Sequence, residues 1–478
     1  MKEQSLAEKL RQYGAGFTCP MHMPGHKRNS PFPWMEPLAK MDITEIDGFD
    51  NLHEADGVLK EGMERMARLW GSRRSFFLVN GSTCGILAGI CSLTNPGDKI
   101  LMARNCHRSV YHAVELNRLR PVYLMPEADD ATGILGSIRP EAVRAALEEN
   151  PDIELAVLTS PTYEGVISDI ASIVQVLHER GIPLLVDEAH GAHLGFSEAF
   201  SGGAVQAGAD LVVQSLHKTL PSLTQTAAIH VGSILVDEDA LRRQLAIFET
   251  SSPSYLLMAS IDSCVRLLEE KGPELFRQYE ERLKRFSEQV SCLKHLRVLG
   301  YGKDSIENHP AFWSLDKSKL VLLTEGTGLT GPAFARHLRE SFRIELEMAQ
   351  SNYGLAMTSI CDSDQNLEQL AEALWILDGR VFPCEKKSAC STPPLLPEQA
   401  AYAWEVRNQE VWETDIEEAE GRVLAEYIWA YPPGIPLAVP GERVSGQMLS
   451  SWRKMEEAGV CLKSSTGGMA EGTILLLG

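Results

Sequence analysis

The sequence is poor in several features, and each shortage excludes a class of protein. It has no run approaching the roughly 18 apolar residues of a membrane-spanning helix. Its opening stretch, MKEQSLAEKLRQYGAG, is charged and amphipathic and lacks the apolar core of a secretory leader. Both features predict a cytoplasmic protein without a membrane partner. Bases are scarce: 45 Lys and Arg face 65 Asp and Glu, a net charge of -20, which is the wrong sign for gripping nucleic-acid phosphates. The balance favours a cationic partner and, more generally, solubility. The ten cysteines form no CxxC pair, as expected of reduced thiols in a cytosol. Cys361, Cys384 and Cys390 lack a histidine at zinc-ligand spacing. No internal repeat is present. Apolar content of 44% and charged content of 23% leave no stretch of disorder-grade composition.

What is there is a long α/β pattern. Apolar runs recur at FFLV (76–79), KILMA (99–103), PVYLM (121–125), ELAVLTS (154–160), IPLLVD (182–187), DLVVQ (210–214) and AAIHV (227–231). Between the first five lie helix-length stretches such as STCGILAGICSL, RPEAVRAALEEN and ISDIASIVQVLHERG. Strand and helix alternating in this way predict a mostly parallel sheet covered on both faces. No helix separates the last two runs, so one of them is open to an antiparallel placement.

Residues 1–55 read as an irregular arm because prolines and glycines punctuate CPMHMPGHKRNSPFPWM. A large domain follows over 56–260. Residues 261–383 read as a smaller α+β domain with two helical patterns, YLLMASIDSCVRLLEE and GPELFRQYEERLKRFSEQV. A linker is expected at 384–398. The segment 399–478 reads as a C-terminal domain with one helical pattern near Ile416 to Glu426 and a turn-rich YPPGIPLAVPGE.

Open α/β sheets bind ligands at the carboxyl ends of their strands, and there the chemistry-bearing residues collect. After the first strand, NGSTCG places Ser82 and Thr83 where a helix opens, a setting for phosphate or for an ordinary cap. After the second, His107 offers a planar ring. The fifth ends on Asp187, a carboxylate that needs a partner if it is buried, with His190 and His193 beyond it. The loops around Gly191 and Gly195 do not set Asp187, His190 and His193 as a tetrahedral zinc site. The sixth leads into QSLHKTLP, where Ser215, His217 and Lys218 follow in quick succession. An amine in apolar surroundings loses pKa and becomes nucleophilic. A phosphate cradle, a stacking ring, a buried carboxylate and such a lysine are together what pyridoxal 5'-phosphate requires, with Lys for the Schiff base and Asp to keep the pyridine nitrogen protonated.

The motifs MPGHKR, NGST, NCHRS, DEAHGAHLGF, QSLHKTLP, SSPSY and YPPGIPLAVPGE resemble the ornithine/lysine/arginine decarboxylase family of fold type I pyridoxal-phosphate enzymes, in the short form found in Gram-positive bacteria. The resemblance implies an aspartate aminotransferase-like large domain with a seven-stranded sheet. It implies Lys218 as the cofactor lysine, Asp187 at the pyridinium and His107 stacked on the ring, with Ser82, Thr83, Ser215 and His217 holding the phosphate. In it, ETSSPSY is the segment exchanged across a homodimer, which brings Ser252 or Ser254 to the neighbouring phosphate. His190 stands where long-form members carry Trp, and Glu442 aligns with a carboxylate that approaches the substrate's distal amine. The proton returned to the α-carbon would come from Lys218 or a nearby histidine.

The implied reaction is α-decarboxylation of a basic amino acid, arginine to agmatine first and lysine to cadaverine next, feeding polyamine synthesis. Asp42, Glu45 and Asp50 are further acids for the distal cation or a dimer interface, and equally suit a solvated loop. The rival readings are a fold type I aminotransferase, for which Arg336, Arg339 and Arg343 are available to clamp an α-carboxylate, and a catalytically silent binding paralogue.

Overall fold

The computed structural model describes residues 4–16, 18–304, 306, 309–380, 396–431 and 434–478. Most of the expected linker therefore lies outside the described residues. Seven strands form the large sheet: β1 (Arg74–Leu78), β2 (Lys99–Ala103), β3 (Arg120–Leu124), β4 (Ile153–Thr159), β5 (Leu184–Asp187), β6 (Leu211–Ser215) and β7 (Ala227–Val231). Their spatial order is β1-β7-β6-β5-β4-β2-β3. Strands β2 to β6 pair in parallel, whereas β7 runs antiparallel to both β6 and β1. The reason lies in the β6–β7 connection, which holds only a one-turn helix, Leu216–Thr219. A parallel return needs a crossover of about a dozen residues or more, usually a full helix.

Every side chain of β5, β6 and β7 is buried, as befits strands covered on both faces. The helix Gly81–Leu93 lies directly against the sheet because two glycines let it approach. A Cβ at Gly85 would stand 2.6 Å from Leu78, and one at Gly89 would stand 2.7 Å from Leu185. Its N-terminus is thereby brought to the carboxyl end of β1.

A second, antiparallel sheet has the order Met348–Gln350, Tyr353–Met357, Lys319–Leu323, Arg297–Val298. The two helical patterns expected after residue 255 are one helix, Tyr255–Val290, which passes through Pro273. An interior proline costs about 3 kcal/mol. The buried stripe nevertheless runs on past it through Phe276, Tyr279 and Leu283, each worth about 1.5–3 kcal/mol of apolar burial, so packing overrides the break.

Two other expectations are corrected. The stretch 1–55 contains the helix Leu6–Ala15, started by a capping box of Ser5 and Glu8. Leu6 and Leu10 are fully buried, and the Leu6 N–H donates to Asp262 at 3.0 Å. In the C-terminal part, the helical pattern near Ile416 to Glu426 forms only a turn, Ile416–Glu418. Gly421 then takes φ of +80°, and the chain pairs outward. Leu424 N donates to Glu442 O at 2.8 Å and Ala425 N donates to Leu475 O at 2.8 Å. Among the described residues of 399–478 the longest helix is Gly446–Glu457, capped by Ser445. It packs beside a three-stranded sheet of Pro436–Ala438, Ile428–Ala430 and Leu462–Ser464.

Candidate active site

The carboxyl ends of β5 and β6 carry the centre of the site. Asp187 ends β5 at 4% exposure, and its carboxylate accepts from Ala189 N at 3.1 Å. Burial raises its pKa, and the amine of Lys218 opposes that rise. The one-turn helix after β6 presents Lys218, whose Nζ lies 3.0 Å from His190 Nε2. Burial lowers the lysine's pKa, with Asp187 pulling the other way. His190 is 5% exposed and is driven well below the ordinary histidine range by burial and then by Lys218. A neutral imidazole therefore faces an amine that loses its proton more readily than usual. Tyr163 packs on the His190 ring with centroids 4.3 Å apart.

His107 sits at the N-cap of the helix Arg108–Leu116, and its Nδ1 is 2.9 Å from Ser109 Oγ and accepts from Ser109 N. Burial, and then Lys218, push its pKa down to about 3, so the ring is uncharged and suited to stacking. Ser82 and Thr83 lie in the first turn of the helix Gly81–Leu93, half-buried and exposed respectively, and no side chain caps that turn. Ser215 is fully buried with an unpartnered Oγ. His217 is half-buried, and its Nδ1 is 2.8 Å from the Thr226 carbonyl oxygen. Ser252 is exposed on the same chain's surface, and Ser254 caps the helix Tyr255–Val290 by accepting from Leu257 N.

Several expected groups are engaged elsewhere. Glu442, expected at a substrate's distal cation, is 1% exposed and pairs with Arg104 Nη2 at 3.2 Å. It also accepts from Val439 N at 2.8 Å. His193 turns away from Asp187 and meets Asp316 at 2.9 Å. Asp50 accepts from five backbone N–H groups, those of Asn51, Asp56, Gly57, Leu59 and Lys60, which makes it a clamp on its own loop. Asp42 contacts His26 at 3.1 Å, and Glu45 is exposed. Arg336, Arg339 and Arg343 are all exposed, and Arg339 pairs with Glu345.

Two groups escaped the sequence reading. Lys319, at the first position of its strand, is wholly buried. Its Nζ lies 3.2 Å from the His190 carbonyl oxygen, 3.1 Å from Ser318 Oγ and 3.4 Å from Asp316. Glu347 accepts from Tyr163 Oη at 2.5 Å, and its charge is felt by both Lys218 and Lys319. Nothing local marks either residue. A pairing with the strand-end motifs is created only when the second sheet docks.

Pyridoxal phosphate fits this set of residues. Asp187 is a buried carboxylate that a ring N–H would satisfy, Ser215 Oγ and His190 Nδ1 are buried polar atoms without partners, and the first-turn N–H groups of the helix Gly81–Leu93 point to an anion.

Comparison with known proteins agrees. The arginine decarboxylase of Bacillus subtilis (strain 168) is 33% identical over 470 residues, covering 96% of this chain and 94% of that one. The arginine decarboxylase of Halalkalibacterium halodurans is 32% identical over 454 residues, covering 92% and 90%. The crystal structure of the Francisella novicida lysine decarboxylase superposes with a TM-score of 0.84 at 20% identity, over 99% of this chain and 81% of that one. The model of the Orn/Lys/Arg decarboxylase major domain matches residues 4–363, and that of the C-terminal domain matches 385–459. The chain therefore belongs to the Orn/Lys/Arg decarboxylase family, the pyridoxal-phosphate-dependent amino acid decarboxylases of fold type I.

Proposed function

We propose that the protein converts arginine to agmatine and carbon dioxide, with Lys218 as the cofactor lysine. The observation that carries this reading is the Lys218–His190 contact of 3.0 Å beside the buried Asp187. Bound pyridoxal phosphate supplies an aldehyde carbon that condenses with amines and a ring that draws electrons from the breaking bond. Lys218, held by burial below its ordinary pKa, would be the amine that holds the cofactor. Asp187 would hold a proton on the ring nitrogen, and His107 would pack against the ring. The first turn at Ser82 and Thr83, together with Ser215 and His217, receives the phosphate. The α-carboxylate leaves as carbon dioxide, and Lys218 or His190 returns a proton to the α-carbon.

Glu347 is our choice for the distal guanidinium. It is an exposed carboxylate held by Tyr163, and the same Tyr163 ring packs on His190. A carboxylate can meet a guanidinium in a two-bond fork. The names of the two bacterial relatives favour arginine over lysine. Three exposed arginines in the helix Gly331–Phe342 and its cap Arg343, with Arg339 already paired, give no support to an aminotransferase clamp. We further propose a cytoplasmic homodimer in which the exposed Ser252 of a second copy reaches the phosphate, with agmatine passing to polyamine synthesis.

Cofactor-loaded protein incubated separately with arginine, lysine and ornithine should release agmatine from arginine fastest. Cadaverine or putrescine as the main product would reassign the substrate. No amine from any of the three would overturn the reading.

A further inference from the structure

His107 is held by more than its own cap. The helix it starts, Arg108–Leu116, is covered along its length by the C-terminal strand Ile428–Ala430 and the residue before it. The Arg108 guanidinium lies over the Trp429 ring at 5.5 Å. His112 meets Tyr427 edge-on with centroids 5.6 Å apart, and Tyr427 Oη donates to Glu115 at 3.0 Å. Near the cap, the C-terminal chain comes close to the ring itself: a Cβ at Gly434 would stand 3.9 Å from His107 Nε2.

The neighbouring strand, Pro436–Ala438, is tied to the end of β2, three positions ahead of His107 in the chain. Arg104 Nη1 donates to the Pro436 carbonyl at 2.8 Å and to Tyr111 Oη at 2.8 Å. Arg104 Nη2 donates to the Leu437 carbonyl at 3.1 Å and to Glu442. Glu442 in turn accepts from Val439 N. Guanidinium and carboxylate are both buried, at 7% and 1% side-chain exposure. A planar fork that binds two carbonyls and a carboxylate fixes direction as well as distance.

We propose that Arg104 and Glu442 are positioning residues for catalysis, a clamp through which the C-terminal strands hold His107 and its helix in place against the cofactor ring. The pair's own contacts are the carbonyls of Pro436 and Leu437, the Val439 N–H and Tyr111. The pair acts through strand Pro436–Ala438 and through Tyr111, which lies within the His107 helix and donates back to the Arg104 carbonyl at 2.6 Å. The inference rests on the reading of His107 as the stacking partner.

The test uses full-length, cofactor-loaded protein and reads the visible circular dichroism of bound pyridoxal phosphate without substrate, then kcat and KM. Glu442→Gln keeps the shape and removes the charge. It should lose most of the visible dichroic signal and about a hundredfold in kcat, as a misplacement of the order of an ångström does, with KM little changed. Tyr427→Phe removes one hydroxyl from the far end of the covered helix and should shift both readouts in the same direction by less. Arg453→Gln, which breaks an exposed pair with Glu417 in the same C-terminal region, should change neither. If Glu442→Gln does not fold, Tyr111→Phe, which removes the hydroxyl that accepts from Arg104 Nη1 and donates to its carbonyl, carries the decision. Variants that lose thermal stability but keep the wild-type dichroism and kcat would show a merely structural pair and overturn the proposal. Wild-type protein that releases no amine would overturn the decarboxylase reading instead.

Discussion

Lys218 and Lys319 both reach His190, one at the ring nitrogen and the other at the backbone carbonyl. Burial lowers the pKa of each, and an aspartate opposes the shift in each, Asp187 for Lys218 and Asp316 for Lys319. What separates them is satisfaction. Lys319 has a carboxylate, a hydroxyl and a carbonyl around Nζ and no exposed side-chain surface. Lys218 has a neutral imidazole and remains partly open. A desolvated amine becomes a nucleophile only where its remaining hydrogen-bonding capacity and its approach are left free. A fully bonded one braces the structure.

The sharpest break of this comparison is Lys218→Ala. It should abolish both the visible absorption band with pyridoxal phosphate and all amine release, while thermal denaturation of the apoprotein stays close to wild type. Lys319→Met should do the reverse. It takes the lysine from the buried Asp316, leaving His193 and Ser318 as its partners, and should cost about 3 kcal/mol of stability in denaturant titration, as breaking a buried pair does. Comparable destabilisation in Lys218→Ala would erase the distinction between the two amines.

A smaller effect sharpens the substrate side. Glu347→Gln should raise KM for the basic amino acid about tenfold, which is ~1.4 kcal/mol, and leave the visible band in place. An unchanged KM would remove Glu347 from the substrate's path.

The mildest test is one of pH. Lys218 deprotonates below the ordinary lysine value of 10.5, so its neutral, reactive fraction at a given pH exceeds that of a surface lysine. Apoprotein treated with pyridoxal and borohydride should label at Lys218, with a rate that rises with pH and levels off earlier than labelling of exposed lysines. Lys319 should stay unlabelled throughout. A midpoint for Lys218 at or above that of surface lysines would contradict the burial argument.

The large sheet was legible because its signals are local. The runs KILMA and AAIHV coincide with β2 and β7, and the missing helix before AAIHV left an antiparallel placement open, which the sheet adopts. Asp187 and Lys218 were legible for a related reason. Asp187 ends an apolar run and Lys218 stands three residues past the end of the next strand, and parallel strands deliver their carboxyl ends to one edge whatever the details of packing. The pairing of Glu442 was not legible, because its partner Arg104 lies more than three hundred positions earlier. Lys319 and Glu347 were invisible for the same reason, since one lysine on an apolar run and one acid among 65 carry no local mark.

By itself, the sequence determined which residues end the strands, that those ends carry a lysine, a carboxylate, an imidazole and hydroxyls, and so which cofactor they suit, because strand period and motif spacing are short-range properties. Only the tertiary structure decided which of two buried amines stays free, which acid is sealed in a clamp and which stands open beside Tyr163. Those outcomes depend on desolvation and on partners that folding alone brings within hydrogen-bonding distance.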